Sequence, residues 1–310
     1  DRYDIWINTT DPADLAFIEA LGKHDKIRLI EQPDGEINGN SSINAFFRYA
    51  MEPDEVYIRF DDDIVWMKPD TIEKIVEFRL NNPDYFLVVP FIINNAICTS
   101  VLQAQGKLSD FRRVAPYCLD KNGWASEIFA EKLHRQAIKE INDNNISEFS
   151  GVDAQFAACR FSINCISWFG SDLKPFDQIY AGSDEVQISY AIPMLANRTN
   201  AIVADTLVSH FAFYTQREHL DATDILKCYY DLRGTSAWPS QDAIEFVEEA
   251  YASVSGSTDI HQQYSTSNSG KSFLQRKFPY PAGIKTKETS IAGLIGKAAK
   301  TVGKLNPRGK

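Results

Sequence analysis

No apolar run in this 310-residue chain approaches the roughly 18 residues that a membrane-spanning helix needs. No basic-then-apolar leader opens it. The chain starts Asp1-Arg2-Tyr3-Asp4 without a methionine, as a chain trimmed upstream would. Cysteine is sparse: Cys98, Cys118, Cys159, Cys165 and Cys228 are odd in number, widely spaced and free of any Cys-x-x-Cys pair. Such a set fits reduced thiols in a cytoplasmic protein better than a disulfide framework or a zinc site. Basic charge is short as well. The formal net charge of −10 argues against a nucleic-acid-binding surface over the main body. The basic residues that exist collect late. From Val254 onward there are ten Lys/Arg against two acids, Asp259 and Glu288, whereas the first 253 residues hold 22 basic and 40 acidic side chains. An acidic body with a basic tail implies two different jobs.

The rest of the composition is that of a globular protein. At 44% hydrophobic and 24% charged the chain can bury a real core, and a 12% aromatic share argues against disorder. The length is about twice that of a usual domain, which allows one large domain or two modest ones.

The first hundred residues alternate. Tyr3 to Asn8 reads as a strand, broken by Thr9-Thr10-Asp11-Pro12, where Asp11-Pro12 suits an N-cap and first helical position. Leu15, Ile18 and Leu21 then recur at helical spacing, and Ile27 to Ile30 is a second strand. Ile43 to Ala50 reads as a helix, Val56 to Phe60 as a third strand, Thr71 to Leu80 as a helix and Phe86 to Phe91 as a fourth strand. Such alternation predicts a mostly parallel sheet with helices on both faces. Further on, Trp124 to Asn142 predicts a helix, Phe156 to Phe169 an aromatic strand-like stretch, Gln187 to Leu195 a helix, Ile202 to Ala204 a short strand and Ser240 to Val254 a closing helix. Ser253 to Ser272 has the Ser/Thr/Gln/Gly composition of a linker. Ser290 to Leu305 places Ile291, Leu294, Ile295, Ala298, Val302 and Leu305 on one side of a basic amphipathic helix.

The strongest chemical signal is Asp61-Asp62-Asp63, directly after the third predicted strand. Strand-end carboxylates sit where open α/β sheets bind ligands. Spaced by two, Asp61 and Asp63 point the same way if the turn is extended. They then offer hard oxygen ligands to a divalent cation that bridges the phosphates of a nucleotide. The competing reading is a solvated acidic turn before Pro69. Apolar flanks on both sides weigh against it, because clustered carboxylates beside a core raise one another's pKa unless a cation answers them.

Tyr57-Ile58-Arg59-Phe60-Asp61-Asp62-Asp63-Ile64 resembles the DxD motif of nucleotide-sugar-dependent glycosyltransferases of the GT-A fold. The opening strand, the helix start Asn40-Ser41-Ser42-Ile43-Asn44-Ala45 and the DxD follow the order of the family-2-like group. Pro175-Phe176-Asp177, then Gly182-Ser183-Asp184-Glu185-Val186-Gln187-Ile188-Ser189, is similar to that group's GGFDE…EDxDLxxR stretch, with Asp184-Glu185 where the family has Glu-Asp. Asp205 to Tyr214 resembles the late strand whose His, here His210, completes metal binding. The resemblance covers residues 3 to 220. It implies an α/β, GT-A (Rossmann-like) fold over 1–253, with a nucleotide-binding half at 1–100 and an acceptor-binding half at 101–253. Residues 254–310 would follow as linker and basic helical tail. It further implies manganese or magnesium held by Asp61, Asp63 and His210, and a nucleoside diphosphate sugar donor, UDP-sugar favoured. The expected activity is an inverting transfer to a glycan or glycolipid acceptor, as in polysaccharide biosynthesis.

Transfer needs a base opposite the leaving group. Asp184 is the first candidate and Glu185 the second, since a helix N-terminus favours the ionised form a base must have; an N-cap and a surface acid are the competing roles. Thr9, Thr10 and Asp11 stand at the end of the first strand, where donor contacts are expected, and Asn44, Asp61 and Asp62 resemble the next ones. Each reads equally as a cap or turn residue. Trp66, Trp124, Trp168 and Tyr180 are candidates for an acceptor-stacking platform, Trp168 foremost as a loop residue, with core packing as the alternative. The basic tail suits anionic lipid headgroups and a peripheral place at the inner membrane face, or else is a disordered end. A sugar nucleotidyltransferase is the competing enzyme class, though Thr9-Thr10-Asp11-Pro12 supplies no glycine-rich phosphate loop. A non-catalytic sugar- or metal-binding module is the non-enzyme alternative.

Overall fold

The computed structural model describes residues 2–176, 183–232 and 240–255. The expected linker and basic tail fall outside these residues from position 256 on, as do Asp177, Tyr180 and Gly182. The strands are β1 (Tyr3–Trp6), β2 (Ile27–Ile30), β3 (Val56–Phe60), β4 (Ile64–Met67), β5 (Val88–Ile93), β6 (Ala154–Phe156), β7 (Cys165–Phe169) and β8 (Asn200–His210). The α-helices among the described residues are α1 (Pro12–Leu21), α2 (Thr71–Asn81), α3 (Ala96–Ala104), α4 (Glu127–Asn142), α5 (Gly170–Leu173), α6 (Asp184–Val186), α7 (Ile192–Ala196), α8 (Arg217–Asp221), α9 (Ile225–Asp231) and α10 (Gln241–Ser255).

Capping chemistry sets several boundaries. The Asp11 side chain accepts from Ala13 N and starts α1 on Pro12. Ser126 accepts from Phe129 N, so α4 begins at Glu127 rather than at Trp124. The expected helix over 43–50 is a 3-10 segment, Gly39–Tyr49. The aromatic stretch 156–169 is divided between β6 and β7, and the short strand at 202–204 extends through to His210 as β8, bent at Asp205 where φ is 55°.

The fold is α/β, but the sheet is not mostly parallel. β1 and β2 pair in parallel as a separate ribbon. The other six strands form one sheet in the order β3-β7-β5-β8-β4, with β6 alongside β8. Within it only β5 and β8 run parallel; β3–β7, β5–β7, β4–β8 and β6–β8 are antiparallel. The expectation fails because parallel neighbours need a crossover of a dozen or more residues. β4 leaves β3 after three residues, so it has no room for one and joins the far edge against β8.

Helices do cover both faces. Val88 and Val203 pack with Ile75 of α2, while their strand neighbours Val89 and Ile202 join the larger core with Cys98 of α3 and Leu133 of α4. The β1–β2 ribbon is attached through an aromatic column. Trp6 stacks on Phe46 at 5.3 Å, Phe47 lies 5.5 Å from Trp168, and Trp168 stacks on Tyr57 at 5.7 Å. Gly170 permits the close pass at the end of β7: a Cβ there would fall 2.0 Å from Glu52 O.

Candidate metal and carboxylate site

β3 and β4 stand at opposite edges of the strand order yet are joined by Asp61–Asp63 alone. The acidic turn therefore lies across one end of the sheet. The C-terminal end of β8 arrives at the same place, because Ile64 pairs with His210 and Phe211 N donates to Asp63 O. Asp61, Asp63 and His210 offer one ligand atom each within 4.8 Å of one another.

Each of the two carboxylates faces two nitrogen-bearing groups of the protein. Asp61 Oδ1 is 2.8 Å from Arg59 Nη2, and Asp61 Oδ2 accepts from Asn164 Nδ2 at 3.0 Å. Asp63 Oδ1 is 3.2 Å from His210 Nε2, and Asp63 Oδ2 accepts from Arg217 Nη2 at 2.6 Å. The Asn164 amide is oriented from behind. Asn95 Oδ1 caps α3 by accepting from Ile97 N and Cys98 N, so Asn95 Nδ2 donates to Asn164 Oδ1 at 3.0 Å. That turns the Asn164 amino group toward Asp61. Asp62 faces solvent, yet its carboxyl is pushed above its ordinary value, first by desolvation from the surrounding chain and then by the charges of Asp63 and Asp61, with Arg217 pulling the other way.

His210 is buried, its ring 4.5 Å from that of Phe213, and its Nδ1 has no hydrogen-bond partner among the described residues. Behind it, His134 Nε2 lies 2.8 Å from Phe211 O, and His134 Nδ1 lies 3.0 Å from the Tyr229 hydroxyl. Complete burial pushes the His134 pKa down to about 4, so it stands there as a neutral ring that braces the strand end.

Asp184 reaches the same centre. Arg59 Nη2 lies 3.9 Å from Asp184 Oδ2, so one guanidinium spans Asp61 and Asp184. The segment from Asp184 also packs against the 3-10 segment that carries Asn44. Burial, not the helix end, dominates the Asp184 carboxyl. Its pKa is raised by desolvation, against the lowering effect of Arg59. Glu185 is raised by desolvation too and is ion-paired to Arg160 at 2.5 Å. The helical run widens to π geometry over Gln187–Ala191, immediately after the two acids.

The other sequence-predicted residues divide. Asp11 is the α1 cap, and Thr9 Oγ1 accepts from Asp11 N and donates to Asp14, while Thr10 is exposed. Among the described contacts none joins Thr9, Thr10 or Asp11 to Asp61. Trp168 is not a loop residue. It lies in β7, 1% exposed, with its indole N–H donated to Ala50 O, so it has no face for an acceptor. Trp66 is likewise buried, in β4. Trp124 is half-buried and sits 5.3 Å from Tyr214 and 6.4 Å from Phe213, which links it to His210. Tyr180 lies outside the described residues.

Sequence reasoning missed Arg59, Asn164, Asn95 and Arg217. Arg59 had a signal: two residues before Asp61 on a strand, it shares a face with it. Asn164 and Arg217 had none, since each meets its aspartate across more than a hundred residues.

No protein-family model matches the chain, and no curated protein matches it.

Proposed function

We propose that the chain is a metal-dependent, inverting glycosyltransferase that uses a nucleoside diphosphate sugar, with a fold that is a GT-A variant. The observation that carries this reading is the convergence of Asp61, Asp63 and His210 from two distant segments at one end of the sheet, with Asp184 beside them. The donor set fits a divalent ion. Two carboxylates and an imidazole suit manganese, carboxylates alone also suit magnesium, and the ligand atoms of Asp61, Asp63 and His210 lie within 4.8 Å of one another. When bound, the ion supplies Lewis-acid stabilisation to a departing diphosphate.

The chain's own residues do the rest. Asp184 accepts the proton of the acceptor hydroxyl as its oxygen bonds to the anomeric carbon, and the carbon–phosphate-oxygen bond breaks with its electron pair leaving on the diphosphate. A raised carboxyl pKa makes Asp184 a stronger base than an exposed aspartate, and Arg59 opposes that rise by favouring the ionised form. Glu185, tied to Arg160, positions the turn. Trp124 with the exposed Tyr214 offers aromatic faces for the acceptor sugar in place of Trp168.

The test is calorimetry with UDP and manganese, followed by a screen of nucleotide sugars for hydrolysis. Wild type should bind UDP only with manganese, and Asp63→Ala should lose UDP binding even with manganese present. Asp184→Asn should bind both and turn over about 100-fold more slowly or worse. Metal-independent nucleotide binding, or full turnover by Asp184→Asn, would remove the reading.

A further inference from the structure

Among the described residues, the charged groups around the acidic turn do not balance. Asp61, Asp62, Asp63, Asp184 and Glu185 supply five carboxylates, and Arg59, Arg160 and Arg217 supply the three guanidinium groups that face them. These described carboxylates outnumber the guanidinium groups by two, the charge of one divalent ion. A nucleoside diphosphate then brings at least two further negative charges and needs cations of its own.

The two arginines on the metal-ligating aspartates are built differently. Arg59 is fixed. Its side chain is 12% exposed, it donates to Ile163 O at 3.2 Å, and it spans Asp61 and Asp184. Arg217 is 27% exposed. Among the described residues, its other neighbours besides Asp63 are Asp62 of the same turn, Ala212 O at 3.3 Å and the face of Phe211 at 5.2 Å. It can leave Asp63 without breaking a contact to a distant element. Its place favours that exchange, because a divalent ion on Asp63 repels a guanidinium held 2.6 Å from the same carboxylate.

We infer that Arg217 is an exchangeable counter-ion: it neutralises Asp63 before the divalent ion binds, and afterwards turns to clamp the diphosphate that the ion brings. The inference rests on the glycosyltransferase reading and assigns to Arg217 the second phosphate, which a nucleoside monophosphate lacks. The planar fork of the guanidinium suits two phosphate oxygens at once, which a lysine ammonium does not reproduce.

The experiment measures manganese binding alone by electron paramagnetic resonance, and UDP and UMP binding at saturating manganese by calorimetry. It uses the full chain as wild type, Arg217→Gln and Arg217→Lys, each checked for a wild-type melting curve. Arg217→Gln should bind manganese alone about two- to fivefold more tightly, the worth of a partly exposed ion pair. The same variant should bind UDP at least about tenfold more weakly, the worth of a lost charge-assisted contact, with UMP changed far less. Arg217→Lys should fall between. Opposite signs for the metal and for UDP are the signature. If Arg217→Gln weakens both, or leaves UDP unchanged, the inference is overturned while the metal reading stands. If wild type binds no manganese, both fall together. Asp63→Ala separates these cases, because it must lose the metal whatever Arg217 does.

Discussion

Asn164 is the most informative residue to remove, because it touches a metal-ligating carboxylate without being a ligand itself. It is buried, donates to Asp61 Oδ2 at 3.0 Å and is oriented by Asn95. Asn164→Ala leaves the backbone bond from Asp61 N to position 164 intact, and Asn95 Nδ2 keeps its second acceptor, Ser162 O. The main loss is the amide that sets the direction of one Asp61 oxygen. Groups that orient a metal ligand typically cost 10- to 100-fold in affinity when removed, or about 1.4–2.7 kcal/mol. Manganese titration by electron paramagnetic resonance should therefore show a dissociation constant raised by about that factor. Asn95→Ala should do the same indirectly and in addition lose the α3 cap, costing about 1 kcal/mol of stability. The pair separates positioning from folding: Asn164→Ala moves mainly the affinity, Asn95→Ala moves both. A folded Asn164→Ala protein that binds manganese within twofold of wild type would refute the idea that this asparagine positions Asp61.

Two further outcomes are expected. Burial holds the folded-state pKa of His134 near 4, below the ordinary 6.5, so the unfolded chain takes up a proton that the native ring refuses. Stability is therefore fully present above about pH 6.5 and falls as the pH drops toward 4, by about 3 kcal/mol from this group. Urea melts at pH 7.5 and 4.5 should show a larger drop for wild type than for His134→Gln, and a ring that titrates near pH 6.5 by NMR would contradict it. Trp168→Phe should lose the bond to Ala50 O and part of the contact with Tyr57 and Phe47, destabilising the protein by about 1–3 kcal/mol. Acceptor KM should not change, and a selective rise in KM with an unaltered melting curve would return Trp168 to the acceptor site.

Much of the fold's vocabulary was legible locally. Asp11-Pro12 announced α1, the β-branched and aromatic run Val56–Phe60 announced β3, and the stretch Thr71 to Leu80 announced α2, although Ile72 and Leu80 end exposed while Ile75 is buried. Strand direction was not legible, because β7 and β8 are placed by burial against partners a hundred residues away. Trp168 shows the same limit. An aromatic before Phe169-Gly170-Ser171 reads as a loop residue until the tertiary fold fills its surroundings with Phe47 and Tyr57.

The chain order alone determined that three carboxylates follow a strand between apolar flanks, and that a histidine sits within a later apolar run; both depend only on neighbouring residues. Tertiary structure decided that His210 meets Asp63, that Arg59 and Arg217 answer the aspartates, and that Asp184 is governed by burial rather than by a helix end. Propensity and spacing act over a few residues, whereas desolvation and charge pairing depend on which segments the packed sheet brings to one end.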